Sequence, residues 1–284
     1  MGTSSTGVSI TMSLLYSHAG NPHLTLAQLA EIPTPQGQGR FHRPYPFHTY
    51  VEDVESALDR VGFDVLERDL EVTKDENRFF GALAIAPRNG SPVVTVENTG
   101  EDQPVSEWRQ NDAGYELLVG LRGAHDQSLK RELVLGDKIF VCSNLAFSGS
   151  IGSIATKQTT NIHRRLPRLI SSAVALIPEL AEKRAEQFEA YKNYEFSNPR
   201  GGDAALVEIF RQGGLSGAQL AKAILEWDKP TYEEHAQYGK SAWLLRNSVT
   251  EALKPAGQNI NHNLIADRTQ ITDQFLSNLV GIAA

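Results

Sequence analysis

Few residues in this chain are placed to do chemistry. His125–Asp126 follows an apolar run, with Arg122 before it and Ser128 after it. Polar groups bunched this way suit phosphate binding, and a histidine beside a carboxylate is half of a nucleophilic or metal site. On a strand, however, the side chains of 125 and 126 point to opposite faces. The competing reading is a turn in which Asp126 takes up backbone amides. Cys142–Ser143–Asn144 closes another apolar run. The lone thiol reads as a small packed hydrophobe, and Asn144 as a strand end through an Asx turn. A hydrolase or nuclease built on His125, Asp126 and Asn144 is therefore one possibility, with no metal required. The sequence has no phosphate-cradling GK[ST] loop, no HExxH pair and no GxSxG elbow. His235 lacks a second ligand one helical turn away and reads as part of a solvated helix face. No cofactor is expected.

A second chemistry comes from charge. The 284 residues hold 27 Lys and Arg against 34 Asp and Glu, a net −7. That total argues against a protein that coats a polyanion over its whole surface. The charge is uneven, though. Residues 120–170 contain eight bases and three acids, a local +5 that leaves −12 for the rest. The bases include Arg122, Lys130, Arg131, Lys157, Arg164, Arg165 and Arg168. If 158–177 is a helix, Asn161, Arg164, Arg165, Arg168 and Ser172 share its polar face. Such a row, beside strands, can follow a phosphate backbone. Those seven bases are the expected nucleic-acid contacts, with single-stranded nucleic acid the expected partner.

Certain elements must position these groups. Residues 1–47 are rich in Gly, Pro, Gln, Thr and His, which predicts an extended N-terminal arm. Val51, Val54, Ala57, Leu58 and Val61 mark a helix over 49–61, with Thr49 and Glu52 fitting a capping box. Strands are expected at 63–72, 79–86, 93–97, 115–122 and 132–142, with Asn89–Gly90 as a hairpin turn and a break near Gly136–Asp137. Their short connections predict an antiparallel meander. Beyond 158 the period becomes helical, and Pro178 kinks that helix or starts the next, at 179–194. Asn198–Pro199–Arg200–Gly201–Gly202 reads as a hinge, followed by helices at 203–212, 216–227, 231–253 and 267–281. Thr231 with Glu234, and Asp267 with Gln270, fit capping boxes. The expected class is α+β: an antiparallel meander packed on a long helix, with a mostly helical C-terminal region. The expected division is an arm (1–47), a core domain (48–197) and a helical region (203–284). No run approaches the ~20 apolar residues needed to span a bilayer, so no membrane partner is expected. One cysteine suits a reducing, cytoplasmic setting.

The stretch 119–148 carries a resemblance. Its pieces are Val119–Gly120–Leu121–Arg122, His125–Asp126–Gln127–Ser128, Gly136, and Phe140–Val141–Cys142–Ser143–Asn144 running on to Gly149. Arg43–Pro44–Tyr45–Pro46 and Phe80–Gly81 agree on the flanks. Together they resemble a family of phage- and plasmid-related proteins of unknown function, the domain of unknown function 932 group. Gly123–Ala124 stands where that family often has Asn–Ser, and Gln158 stands where it has His between Lys and Thr. The resemblance implies a mobile genetic element in a bacterial host rather than a reaction. In that setting the basic row suits a non-catalytic nucleic-acid binder. The order helix, β-meander, long basic helix loosely resembles the core of single-strand annealing proteins, which implies single-strand binding or annealing by a homo-oligomer. A protein-binding factor that blocks or senses host defence, with a host or phage protein as its partner, is the alternative.

Overall fold

The computed structural model describes residues 22–88, 115–139, 152–254 and 262–282. Strands β1 (Phe63–Val72), β2 (Arg78–Pro87), β3 (Tyr115–Ala124), β4 (Arg131–Ile139) and β5 (Gly152–Thr156) form one sheet. Every pairing is antiparallel and the strand order is the chain order, as a meander requires. Two-residue alternation gives the sheet two unlike faces. Phe79, Leu83 and Ile85 of β2 point with Leu117, Val119 and Leu121 of β3 and with Leu133 and Leu135 of β4 into the main core. The other face carries Ala82, Ala84 and Leu118, flanked by Leu66 and Phe80. A bulge between Val65 and Glu67 shifts the register of β1. Strand β4 runs unbroken through Gly136–Asp137, because both pair with β3. The Asn89–Gly90 turn, the strand at 93–97 and Cys142–Ser143–Asn144 lie outside the described residues.

Helices α2 (Phe47–Arg60) and α3 (Ile162–Val174) lie side by side on the main-core face. The expected cap Thr49 falls inside α2, which starts two residues earlier because Phe47 and Tyr50 are both buried. The arm is more ordered than its composition predicts. Thr25 and Gln28 form a full capping box on a short helix α1 (Leu26–Glu31), which buries Leu29. Leu24 N–H then bonds Leu70 C=O at 2.8 Å, tying the arm to the edge strand β1.

The remaining helices are α4 (Ile177–Asn193), α5 (Pro199–Arg211), α6 (Gly217–Asp228), α7 (Ala242–Leu253) and α8 (His262–Val280). Pro178 starts α4. The supposed hinge belongs to α5: Asn198 caps it, Pro199 opens it, and Gly202 is required because a Cβ there would stand 2.1 Å from Trp227 of α6. Thr231 caps nothing; its N–H and hydroxyl both bond Glu226, and only a short 3-10 turn, Glu233–Ala236, follows. His235 in that turn is buried, not solvated. Asp267 is interior to α8. Every residue of α7 is buried among α4, α5, α6 and α8. One continuous apolar cluster reaches from Leu29 of α1 through the sheet to Leu276 of α8. No helix among the described residues is long and apolar enough to cross a membrane.

Candidate functional site

Helix α3 buries Ile162, Leu166, Ile170 and Val174 in a stripe one residue in four. That stripe faces α2 and β5 and turns the opposite side outward. The outward side is the predicted one. Asn161, Arg164, Arg165, Arg168 and Ser172, with Leu169 between them, line an open groove of about 460 Å³. Asn161 precedes the first turn without capping it through its side chain. The positive end of the helix dipole therefore adds to the guanidinium charge at that end.

Several arginines elsewhere on the surface are paired with acids. Arg68 pairs with Glu55 at 2.5 Å, Arg88 with Asp59 and Asp64, Arg122 with Glu132, and Arg211 with Glu208. Among the described residues, Arg164, Arg165 and Arg168 have no such acid, in a chain with seven more acids than bases. Three like charges on adjacent turns repel one another. Supplied anions would relieve that repulsion.

The other four expected contacts do not join this row. Arg122 pairs across to Glu132 on the sheet face that carries Leu118, opposite the face covered by α3. Lys130 is exposed in the turn before β4, and Lys157 is exposed in the connection leading to α3. Arg131 is a correction: it is 0% exposed and touches no solvent. On a strand its side chain follows Leu133 and Leu135 inward.

Arg131 instead centres a polar node behind α3. Its guanidinium lies over the Phe47 ring at 4.5 Å and donates to the Tyr45 carbonyl. Burial lowers its pKa to about 10, below the usual arginine range. Gln158 accepts the Tyr45 N–H at 2.7 Å and donates to the Ala124 carbonyl, fixing the arm to β3. Tyr45 also packs on the ring of His163 from α3. His125 stacks on Phe47 at 3.9 Å, with Nδ1 3.4 Å from Arg131 Nη2. A guanidinium only donates, so Nδ1 must accept and the proton sits on Nε2. Burial first, then Arg131 and His42, hold the imidazole down at about 4, neutral at physiological pH.

Neither a family model, nor a curated protein, nor a solved structure matches the chain. The site therefore stands on its geometry alone.

That geometry keeps His125 and Asp126 apart in role. Asp126 accepts the Ser128 N–H at 2.9 Å, the turn reading of this pair. His125, 2% exposed and facing a guanidinium, is not open to a substrate. Asn144 lies outside the described residues. Sequence reasoning found the row on α3 by helical periodicity. It missed the node, because Tyr45, Phe47, His125, Arg131 and Gln158 are scattered over 113 residues and no local period joins them.

Proposed function

We propose that α3 is a phosphate-contacting surface and that this protein binds single-stranded nucleic acid without catalysis. One observation carries the reading: Arg164, Arg165 and Arg168 line a shared open groove at a helix N-terminus, without acidic partners among the described residues. Guanidinium groups match phosphate oxygens in a planar fork, which makes arginine well suited to such a surface. Single strands also offer bases that stack on rings. Phe41, 64% exposed, stands on the arm two residues before Arg43, whose N–H bonds the Gln158 carbonyl just ahead of α3. The resemblance to phage- and plasmid-related proteins suits a nucleic-acid role and an oligomer that extends the groove across subunits.

The test is binding of the full chain to a fluorescent oligothymidine at low and moderate salt. Binding at low salt that is lost in the Arg164→Ala/Arg165→Ala/Arg168→Ala variant supports the proposal. No binding at low salt, or undiminished binding by the folded variant, sinks it.

A further inference from the structure

We propose that His23, Asp69 and Glu71 form a site for a divalent transition-metal ion. The three bring together one ligand atom each, all within 4.8 Å of one another. The sheet explains the convergence. Asp69 and Glu71 sit two apart on β1, so both side chains project from one face. Their cross-strand partners on β2 are Ala82 and Phe80, which belong to the second face of the sheet. His23 is bridged antiparallel to Glu71 from the other side, so its ring stands over the same face. Imidazole, glutamate and aspartate thus meet at the edge strand where the arm joins it. This is the opposite face of the sheet from α3, so the inference is independent of the nucleic-acid reading.

The chemistry of the set suits such an ion. A neutral imidazole nitrogen and two carboxylates sum to −2. One nitrogen with two oxygens is a donor set accepted by Zn²⁺, Mn²⁺ and Co²⁺. Asp69 and Glu71 are both buried, while the His23 side chain is 52% exposed. That leaves an approach from solvent and room for water as a further ligand.

The distances are near those of a filled site. His23 Nδ1 lies 3.7 Å from Glu71 Oε1 and 2.5 Å from Asp69 Oδ1. Two ligands on one zinc ion stand roughly 3–3.5 Å apart, given metal–ligand bonds near 2.1 Å. The ion would therefore enter where His23 Nδ1–H now donates to Asp69. The imidazole and carboxylate would part by about 1 Å or less.

Cobalt(II) is the direct probe, because its visible absorption reports the ligand set. The full chain, stripped with chelator, is titrated with Co²⁺ and the bound ion displaced by Zn²⁺. The expected result is one saturable site per chain that Zn²⁺ competes for. Its affinity should fall tenfold or more in His23→Gln and in the near-isosteric Glu71→Gln. Should Glu71→Gln lose its fold by circular dichroism, His23→Gln alone decides, since His23 lies on the half-exposed arm. No saturable Co²⁺ spectrum, or unchanged affinity in folded His23→Gln, overturns the proposal.

Discussion

At the scale of single residues, the buried node makes the sharpest demands. His125 is neutral when folded, with a titration near 4 against 6.5 for a free histidine. Between these values the unfolded chain binds a proton that the folded chain does not. Stability must therefore fall as pH drops from about 6.5 toward 4, by roughly 2 kcal/mol after allowing for partial screening. Thermal melting at pH 7 and pH 5 measures this, and His125→Gln should flatten the difference. An equally steep loss in His125→Gln would assign it to other groups. A second demand falls on Gly123, where a Cβ would stand 2.5 Å from Arg131 Nη1. Gly123→Asn should cost about 1–3 kcal/mol by overpacking. In a double-mutant cycle by urea unfolding, Arg131→Ala should remove most of that cost. Additive losses would show that the two positions do not compete for space. This pair also shows what the sequence hides: Arg131 reads as one more base until the alternation of β4 turns it inward.

At the scale of elements, periodicity was a good guide wherever one face is buried. Strand β1 matches its expected bounds, and β2 and β3 differ from theirs by a residue or two. Errors gather where tertiary contacts override local signals. Gly201–Gly202 resembles a hinge, yet Gly202 lies against Trp227 and Gly201 against Phe196. Strand β5 hid in a glycine- and serine-rich stretch, and its pairing with β4 is what defines it. Helix α7 shows no polar face because none exists; it carries Arg246, Asn247, Ser248 and Glu251 into the core. Arg246 and Arg184 of α4 both bond Asp273 of α8, at 2.7 and 2.9 Å. Burial pushes that carboxyl up, but the two guanidinium groups outweigh it and hold it ionised below the usual range. Asp273→Ala would leave two buried cations facing each other. The expected loss is about 3–5 kcal/mol in urea unfolding. A loss below about 1 kcal/mol would mean that water or other groups take over the pairing.

At the scale of the whole molecule, the charge imbalance changes meaning. The +5 of residues 120–170 is no continuous patch. Arg131 is buried, Arg122 is neutralised on the far face, and the α3 row remains as a compact site on an acidic body. Three phosphate contacts on a single strand predict a slope of log affinity against log salt near −2. A slope near −5, measured by fluorescence anisotropy from 50 to 300 mM salt, would mean a wider footprint than α3 alone offers. A slope of zero would remove phosphate contact from the mechanism. So few contacts bind weakly in one copy, and a chain of copies along a strand would multiply them.

The Arg184–Asp273–Arg246 bridge also sets an order of events during synthesis. Arg184 leaves the ribosome 89 residues ahead of Asp273, and Arg246 leaves 27 ahead. At ordinary elongation rates Arg184 waits about 4–18 s for its counter-charge. Until then the packing around α7 would have to enclose two guanidinium groups without the Asp273 carboxylate, so it stays open and its apolar surface stays available to chaperones. Nascent chains stalled before residue 273 should be cut rapidly by protease, whereas chains stalled with α8 fully emerged should resist. Equal resistance of both would mean that the helices close without the bridge.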